Sequence, residues 1–282
     1  MRGSVFQPQH GFSLLETLAA TALTAGIAAV AFQLFHQSER VFRDQALILE
    51  MQQGARVVVA QVVEDIRRAG QSVPPGLEEI ILPGSGVSRL NLRASYSAVE
   101  SHVVSSLPLS FVIGTPATVL VDSTSGISSG RQAFLWGGLA WARVTVDSVS
   151  GSAQSVRLTP TAATSMPLDF LAAPTLSLDE AVSIFWDETA KSVRRTTASN
   201  TLNPASPAWA PANELVTNVT ALNLVYLDAS GNAIVPDTEQ NRSQVREVQI
   251  RIALRCSAPL SDGSRPVYAL SSRAVPRNIA LR

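Results

Sequence analysis

Cysteine is nearly absent from this sequence, since Cys256 is the single one in 282 residues. A chain with one cysteine forms no internal disulfide and no multi-cysteine metal site. Histidine is almost as scarce, and His10, His36 and His102 stand far apart along the chain. We therefore expect no disulfide framework, no metal site and no cofactor.

Charge is sparse as well. Only 16% of the residues are charged, and 22 basic residues balance 22 acidic ones. No basic stripe with interleaved aromatic residues occurs, so a nucleic-acid partner is not expected. Low charge together with abundant Ser, Thr, Ala and Val is instead typical of a strand-rich exported domain.

Signatures of catalysis are weak. The segment Gly126-Ile-Ser-Ser-Gly130 has the G-x-S-x-G spacing of a hydrolase nucleophile elbow, but a predicted strand follows it where the elbow needs a helix. His102 lies in a Ser-rich segment whose spacing suggests no partner. The segment Asp228-Ala-Ser-Gly-Asn232 predicts a turn, because its spacing is not that of a calcium-binding loop. We predict no catalytic residue and no enzymatic activity.

The sequence does contain one long apolar run, from Phe12 to Phe35, in which Glu16 is the only ionisable residue. A helix of these 24 residues would be about 36 Å long, enough to cross a hydrocarbon core of about 30 Å. A charge in lipid costs on the order of a few kcal/mol, so the Glu16 carboxylate needs a partner. Ser13 and Glu16 also have the spacing of a capping box, a role compatible with a further one for Glu16.

An ordinary secretory signal ending at Ala29-Val30-Ala31 is an alternative interpretation of the same segment. Three features argue against it. The region before the apolar run contains a single Arg, the run itself contains Glu16, and it continues past Ala31 to Phe35.

Residues 36 to 70 predict the second half of the same helix. Apolar residues recur there at steps of three and four, at Ile48, Met51, Ala55, Val58, Val62, Ile66 and Ala69. Gly54 and the run Val57–Val59 lower helix propensity, so this half must pack against a sheet. Gly70 suits the position just after the helix, and Pro74-Pro75 prevent its continuation.

Charged residues spaced four apart predict ion pairs on the solvated side of this helix. These pairs are Glu39–Arg43, Arg40–Asp44 and Glu64–Arg68. Within the apolar half, Gly26 is where we expect any local break.

After Pro75 the apolar period changes from about 3.6 to 2, which predicts strands separated by Ser/Gly-rich breaks. The predicted strands are Ser88–Leu92, Ala117–Asp122, Ala133–Trp136, Ala142–Val149, Ser155–Leu158, Val182–Asp187, Ser192–Thr197, Val219–Asp228 and a segment from Val248 to Cys256. Residues 115 to 160 suggest a compact barrel or sandwich, followed by a proline-spaced stretch from Pro160 to Pro174. We therefore predict a β-rich region over 71–282 with an inserted β subdomain at 115–175.

The N-terminal segment resembles a known signal. The run Gly11-Phe12-Ser13-Leu14-Leu15-Glu16-Thr17-Leu18 is similar to the cleavage and methylation signal of type IV prepilins and type II secretion pseudopilins. The resemblance implies that a prepilin peptidase cuts between Gly11 and Phe12 and methylates the new amino group of Phe12. Residues 1–11 would then be a leader, and the helix would cover 12–70 with its transmembrane part at 12–35. Glu16, at the fifth position of the mature chain, would act in subunit assembly.

Other segments resemble the PilW-like family of minor pilins. They are Met51–Arg56, Glu64–Gly70, Leu215–Gly231, Arg246–Ile250 and the Pro-Arg-Asn tail at 276–278. The minor pseudopilin of the J type has a related helix ending, so the helix alone does not separate the two. We expect the charges at the end of the helix to be solvated and to perform no chemistry.

The resemblance implies an α+β, pilin-like fold and the function of a minor type IV pilin in a priming or tip complex. Expected partners are other minor and major pilins, the prepilin peptidase, the inner-membrane assembly platform and the membrane itself. The chain would lie in the inner membrane with a periplasmic globular region, and at the pilus or cell surface after assembly. Two alternatives remain open: a minor pseudopilin of type II secretion, and a membrane-anchored exported adhesin or binding module. An adhesin could use sheet-face tryptophans to bind carbohydrate, although we expect Trp136, Trp141, Trp186 and Trp209 to be core or edge residues.

Overall fold

The structure, a computed structural model, describes residues 13–75, 77, 80–138, 140–164, 168–199, 201 and 207–276. The chain divides into two compact units. The first comprises the chain up to Glu50 together with Ser257–Arg265, and the second comprises Met51–Cys256 together with Pro266–Arg282. The fold is α+β, with one long apolar N-terminal helix followed by a β-rich region.

Helix α1 (Leu14–Arg68) contains 55 residues and runs through Gly26 without the local break expected there. Its C-terminal end follows the prediction. Gly70 adopts a left-handed conformation with φ 78°, which a residue without a Cβ reaches at no steric cost. The Gly70 amide donates to the carbonyl oxygen of Arg93 at 2.8 Å, so the end of the helix is tied to the sheet that follows.

The apolar stripe of α1 is buried in the second unit. Its buried members are Met51, Ala55, Val58, Val62, Ile66 and Ala69, joined by Val59. A Cβ on Gly54 would lie 3.0 Å from Val216 Cγ2 and 3.4 Å from Leu254 Cδ2, so the helix backbone passes very close to two strands. The expectation that this half of the helix packs against a sheet is confirmed for its part from Met51 onward, whereas residues 36–50 are exposed or half-buried.

The structure describes strands of two to eleven residues and one further short helix. The strands are β1 (Arg89–Arg93), β2 (Glu100–His102), β3 (Leu109–Phe111), β4 (Ala117–Leu120), β5 (Gln132–Gly137), β6 (Ala140–Ser150), β7 (Ser155–Ala163), β8 (Leu168–Phe170), β9 (Thr175–Leu178), β10 (Ala181–Asp187), β11 (Ser192–Ala198), β12 (Asn213–Val216), β13 (Val219–Leu227), β14 (Ala233–Ile234), β15 (Glu247–Arg255) and β16 (Val267–Ala274). Helix α2 (Glu239–Gln244) is capped by Thr238, whose side chain accepts from the Asn241 amide.

These strands form antiparallel sheets with the orders β1-β10-β11-β12, β14-β13-β15-β16, β2-β9-β5-β6-β7-β4 and β3-β8. Hydrogen bonds join the first two sheets. The amides of Val219 and Leu224 on β13 donate to the carbonyl oxygens of Lys191 and Val87, each at 2.8 Å. The Tyr226 hydroxyl lies 3.0 Å from the carbonyl oxygens of Gly86 and Arg89.

The six-stranded sheet closes on itself. Its outer strands β2 and β4 meet through a bridge between Val103 and Val121, where the Val104 amide donates to the Leu120 carbonyl at 2.8 Å. The interior of this barrel is a continuous apolar core that includes Val119, Leu135, Val144, Val156, Leu158 and Leu176. Its strands run from Glu100 to Leu178, a range that encloses the predicted insert at 115–175.

Several local predictions were wrong. Strand β7 continues beyond the predicted end at Leu158, through Pro160 to Ala163. A register shift beside Pro160 lets β6 and β7 stay paired although proline has no amide hydrogen. The strands that were not predicted are β2, β3, β8, β9, β12, β14 and β16. The pair Glu64–Arg68 is confirmed at 2.8 Å, whereas Asp44 makes its hydrogen bonds to Ser261 instead of pairing with Arg40.

Candidate functional site

The sequence places its candidate site at the start of α1. Gly11 and Phe12, the expected cleavage and methylation residues, lie outside the described part of the chain. Glu16, the expected assembly residue, lies in the first turn of α1 and is exposed. A negative side chain is favourable there because the N-terminal end of a helix carries a partial positive charge.

Ser13 caps this first turn. Its hydroxyl accepts from the Glu16 amide at 3.3 Å, and its carbonyl accepts from the amides of Glu16 and Thr17 at 3.0 and 3.2 Å. These contacts are the Ser13 half of the predicted capping box. The contribution of such a cap to helix stability is on the order of 1 kcal/mol.

The apolar half of α1 is exposed on every side. Leu14 is 83% exposed, Ile27 70% and Phe32 67%, so large apolar side chains face outward around the whole circumference. The hydroxyls of Thr17 and Thr21 donate to carbonyl oxygens one turn back at 3.0 Å, which satisfies their polar groups inside an apolar segment. By length and composition this helix can cross a membrane, and its most apolar stretch is not buried in the protein.

Polar contacts begin where the apolar run ends. His36 Nδ1 lies 3.5 Å from a carboxylate oxygen of Glu39, and the His36 ring packs edge-on against Phe32 at 5.1 Å. Further along, the Asp44 carboxylate accepts from the Ser261 amide at 3.1 and 3.0 Å and from the Ser261 hydroxyl. These hydrogen bonds hold the pKa of Asp44 below its usual range.

Asp65 corrects the expectation that the charges at the end of α1 are solvated. Its side chain is 2% exposed and accepts from Nε and Nη2 of Arg195 on β11 at 2.8 and 3.1 Å. Gln61 Nε2 donates to the same carboxylate at 3.2 Å. The hydrogen bond to Asp65 raises the pKa of Arg195, and burial raises the pKa of the Tyr96 hydroxyl, which donates to the Asp65 carbonyl at 3.2 Å.

A second buried ionic cluster surrounds Asp179. Arg93 Nε lies 3.2 Å from one carboxylate oxygen and Arg143 Nε 3.6 Å from the other, to which the Thr201 hydroxyl also donates. Arg93 and Asp179 are both completely buried, and both guanidinium groups lie over the Phe134 ring. The cluster joins β1 to barrel strands β5 and β6, so its contacts serve packing.

The weak catalytic signatures do not come together as a site. Strand β5 follows the turn at Gly126–Gly130, as predicted. The Ser101 hydroxyl donates to Asp122 at 2.6 Å, while His102 Nδ1 lies 3.2 Å from the Thr175 hydroxyl. The described residues contain no group of three or more His, Cys, Asp or Glu side chains that could hold a metal ion.

Cys256 and the tryptophans occupy packing positions. Cys256 is a free thiol, 1% exposed, on the same buried face of the sheet as Ile250, Ile252 and Leu254. The tryptophans are half-buried, and all four contact other parts of the protein. Lys191 Nζ lies 5.8 Å from the centre of the Trp186 ring, and Trp209 packs against the cluster of Leu82, Ala181 and Ala198. Trp136 Nε1 donates to the Ser177 hydroxyl at 3.1 Å, and the Trp141 ring packs edge-on against Phe134.

Sequence reasoning missed the buried ion pairs, although one signal was present. Asp65 occupies a step of the apolar stripe, three residues after Val62 and four before Ala69. A carboxylate on the buried stripe of a helix requires a cationic partner. Arg195 lies 130 residues away, and no local pattern identifies it as that partner.

The fold and the helix define a class of protein: an α+β chain whose N-terminal helix can cross a membrane and whose remaining described residues are rich in strands. A comparison with protein families finds none that matches the chain, and a comparison with curated proteins finds no match either.

Proposed function

We propose that this chain is a minor type IV pilin that takes part in pilus assembly, in a priming or tip complex. The observation that carries the proposal is the exposed apolar half of α1 with Glu16 as its only ionisable residue. Such a surface must be covered by lipid or by similar helices, because large exposed apolar areas are unfavourable in water. The prepilin-like signal around Gly11 and Phe12 supports the same function.

The proposal assigns a role to each end of this segment. The prepilin peptidase cuts after Gly11 and methylates the amino group of Phe12. Glu16 then pairs with the Phe12 amine of a neighbouring pilin, because a lone carboxylate desolvated among apolar helices is unfavourable. This pair sets the axial register between subunits as they pass from the bilayer into the filament.

The proposed location follows from the resemblance to prepilins. The apolar half of α1 lies in the inner membrane, with the β-rich region in the periplasm, and the chain is found at the pilus or cell surface after assembly. The partners are other minor and major pilins together with the inner-membrane assembly platform. Co-purification distinguishes this function from that of a type II secretion pseudopilin, since each function predicts a different set of bound subunits.

Substitution of Glu16 by Ala tests the proposal. We expect membrane insertion and cleavage to be unchanged, because both depend on the apolar run and the cut site, while recovery of partner pilins falls. Glu50→Ala is a matched control, since Glu50 is also exposed on α1 but lies outside the apolar run. If Glu16→Ala recovers partners as well as the control does, Glu16 acts only at the helix terminus and the proposed assembly role is wrong.

A further inference from the structure

Strand β16 differs from the other outer strands of the described sheets. It contains eight residues and has one hydrogen-bonded strand neighbour, β15, among the described residues. The outer strands β12 and β14 have four and two residues. The barrel closes its own edges, and β1 is covered by a bridge between Ile81 and Leu92. Protein edges are normally short or covered, because an open edge pairs with other chains.

The register shows which backbone groups of β16 face outward. The Cys256 amide donates to the Pro266 carbonyl at 3.0 Å, so Pro266 faces β15. In an antiparallel pair the residues that face the neighbour alternate with those that face away. The N–H and C=O groups of Val267, Ala269, Ser271 and Arg273 therefore point away from β15.

Most of the devices that normally blunt an edge are absent from β16, whose one charged residue is Arg273. The pairing of β15 with β16 runs from Val248–Ala274 to Arg255–Val267 without a register shift, so no bulge twists the edge away. The strand sequence contains no Pro and no Lys. The N–H and C=O groups of four residues therefore point outward in a regular row. Such a row can hydrogen-bond an extended polypeptide that adds one strand to the sheet.

The side chains beside this edge indicate which charge and polarity the added strand should have. On the outer face Arg251, Arg255 and Arg273 stand with one acid, Glu247, so three positive charges meet one negative charge. Arg251 and Arg273 line a depression of about 480 Å³ on the outer face of β13, β15 and β16, together with Gln249 and Asn223 among others. On the inner face of β16, Tyr268 and Leu270 are half-buried and offer apolar contact.

We propose that β16 is a docking edge for an extended segment of another polypeptide, with apolar residues alternating with acidic ones. Its apolar side chains pack beside Tyr268 and Leu270, and its acidic side chains lie beside Arg273 and Arg251. Two other occupants of the edge can be considered. A second copy of this chain would bring the same arginines to it, and the C-terminal segment 277–282 contains two arginines and no acid. Like charges on paired strands are unfavourable, so neither is the proposed occupant. The inference does not depend on the proposed pilin function.

The test uses the full chain in detergent and two end-capped eight-residue peptides, one alternating Val with Glu and the other Val with Lys. The Val–Glu peptide is expected to bind, and the Val–Lys peptide to bind at least about tenfold more weakly. Residue-resolved hydrogen exchange should show new protection at Val267, Ala269, Ser271 and Arg273, in alternation with residues that β15 already protects.

Two variants test whether binding occurs at this edge. Ala269→Pro removes one outward amide and obstructs an added strand, yet leaves the bonds to β15 in place because the Ala269 amide does not face β15. It should abolish binding, whereas Ala269→Val keeps the amide and should bind normally. Arg273→Glu leaves two positive and two negative charges on the outer face and should remove the preference between the two peptides, a readout that holds even if the proline variant fails to fold.

Three results would overturn the proposal. One is that the wild-type chain binds neither peptide. Another is that Ala269→Pro binds the Val–Glu peptide as well as Ala269→Val does, which places binding elsewhere. The third is that the wild-type chain self-associates and Ala269→Pro makes it monomeric, which identifies a second copy as the occupant. Each of these results leaves the role proposed for Glu16 standing, since that role is read out by recovery of partner pilins.

Discussion

Asp65 on α1 and Arg195 on β11 form a two-point ion pair, with oxygen–nitrogen distances of 2.8 and 3.1 Å. The carboxylate is 2% exposed and the guanidinium side chain 25%. A planar guanidinium that meets both oxygens of a carboxylate fixes orientation as well as distance. The pair therefore aligns the end of the helix with the β1-β10-β11-β12 sheet.

Replacing Asp65 by Asn is expected to destabilise the protein by about 2 to 4 kcal/mol, because it leaves a partly buried guanidinium without its counter-charge. The measurement is chemical unfolding of the full chain in detergent. Glu64→Gln is the matched control, since it removes the neighbouring carboxylate from an exposed pair with Arg68. The control should cost less than about 1 kcal/mol. Equal losses for both variants would contradict the importance given to burial.

The contact between Asp44 and Ser261 is expected to weaken in acid. Hydrogen bonds from Ser261 hold the pKa of Asp44 below its usual range, so the ionised carboxylate is the form that binds. A group whose pKa is lowered on folding stabilises the contact above its ordinary pKa, and this stabilisation is lost as the pH falls through the lowered pKa.

Hydrogen exchange at the Ser261 amide measures this loss directly. Protection at neutral pH should fall in acid for the wild-type chain, after correction for intrinsic exchange rates. In Asp44→Asn it should be weaker at neutral pH and nearly independent of pH. A pH dependence retained in that variant would assign the effect to another group, such as Asp262 in the same loop.

Cys256 is expected to be inert toward thiol reagents in the folded chain. Its 1% exposure means that a reagent reaches the sulfur only when the sheet opens locally. A double variant, Cys256→Ser with Ser257→Cys, moves the thiol to the exposed neighbouring position and provides the control. Labelling of the wild type should be at least about a hundredfold slower than that of the double variant. Similar rates would contradict the buried placement.

Processing at Gly11 is expected to produce a chain that begins at methylated Phe12. Gly11 lets the peptidase approach the backbone closely where a side chain would collide. Intact-mass analysis of protein from a host with a prepilin peptidase measures the new terminus. A host that lacks the peptidase is the control and should yield the uncut chain. A start at Phe32 would instead establish an ordinary secretory signal.

The parts of the fold that the sequence predicted best have a strong local period. The stripe from Met51 to Ala69 and the alternation from Val248 to Cys256 both face a core, so the sequence itself marks the buried side. Gly70 was predictable for a different reason, since a left-handed residue at a helix end favours glycine.

The missed elements depend on distant partners. Strands β2, β3 and β8 have three residues each, too few to show a period. They form because β2 pairs with β9, and β3 and β8 pair with each other. Strand β16 alternates exposed and half-buried residues, so neither face is apolar enough to be recognised. The candidate site was accessible to sequence reasoning because its residues are contiguous, whereas the ion pair of Asp65 with Arg195 required the fold.

The closed barrel has one more consequence, for how this protein can change over evolution. The chain enters it after Arg93 and leaves it at Ala181, two residues that pair directly across β1 and β10. Across this gap the Ala94 amide still donates to the Glu180 carbonyl at 3.0 Å. The barrel is thus an insertion between the two paired strands β1 and β10. Its length and sequence can change while the chain path through the β1-β10-β11-β12 and β14-β13-β15-β16 sheets stays the same. We expect the ion pair of Asp179 with Arg93 to be retained, because it joins the inserted barrel to strand β1.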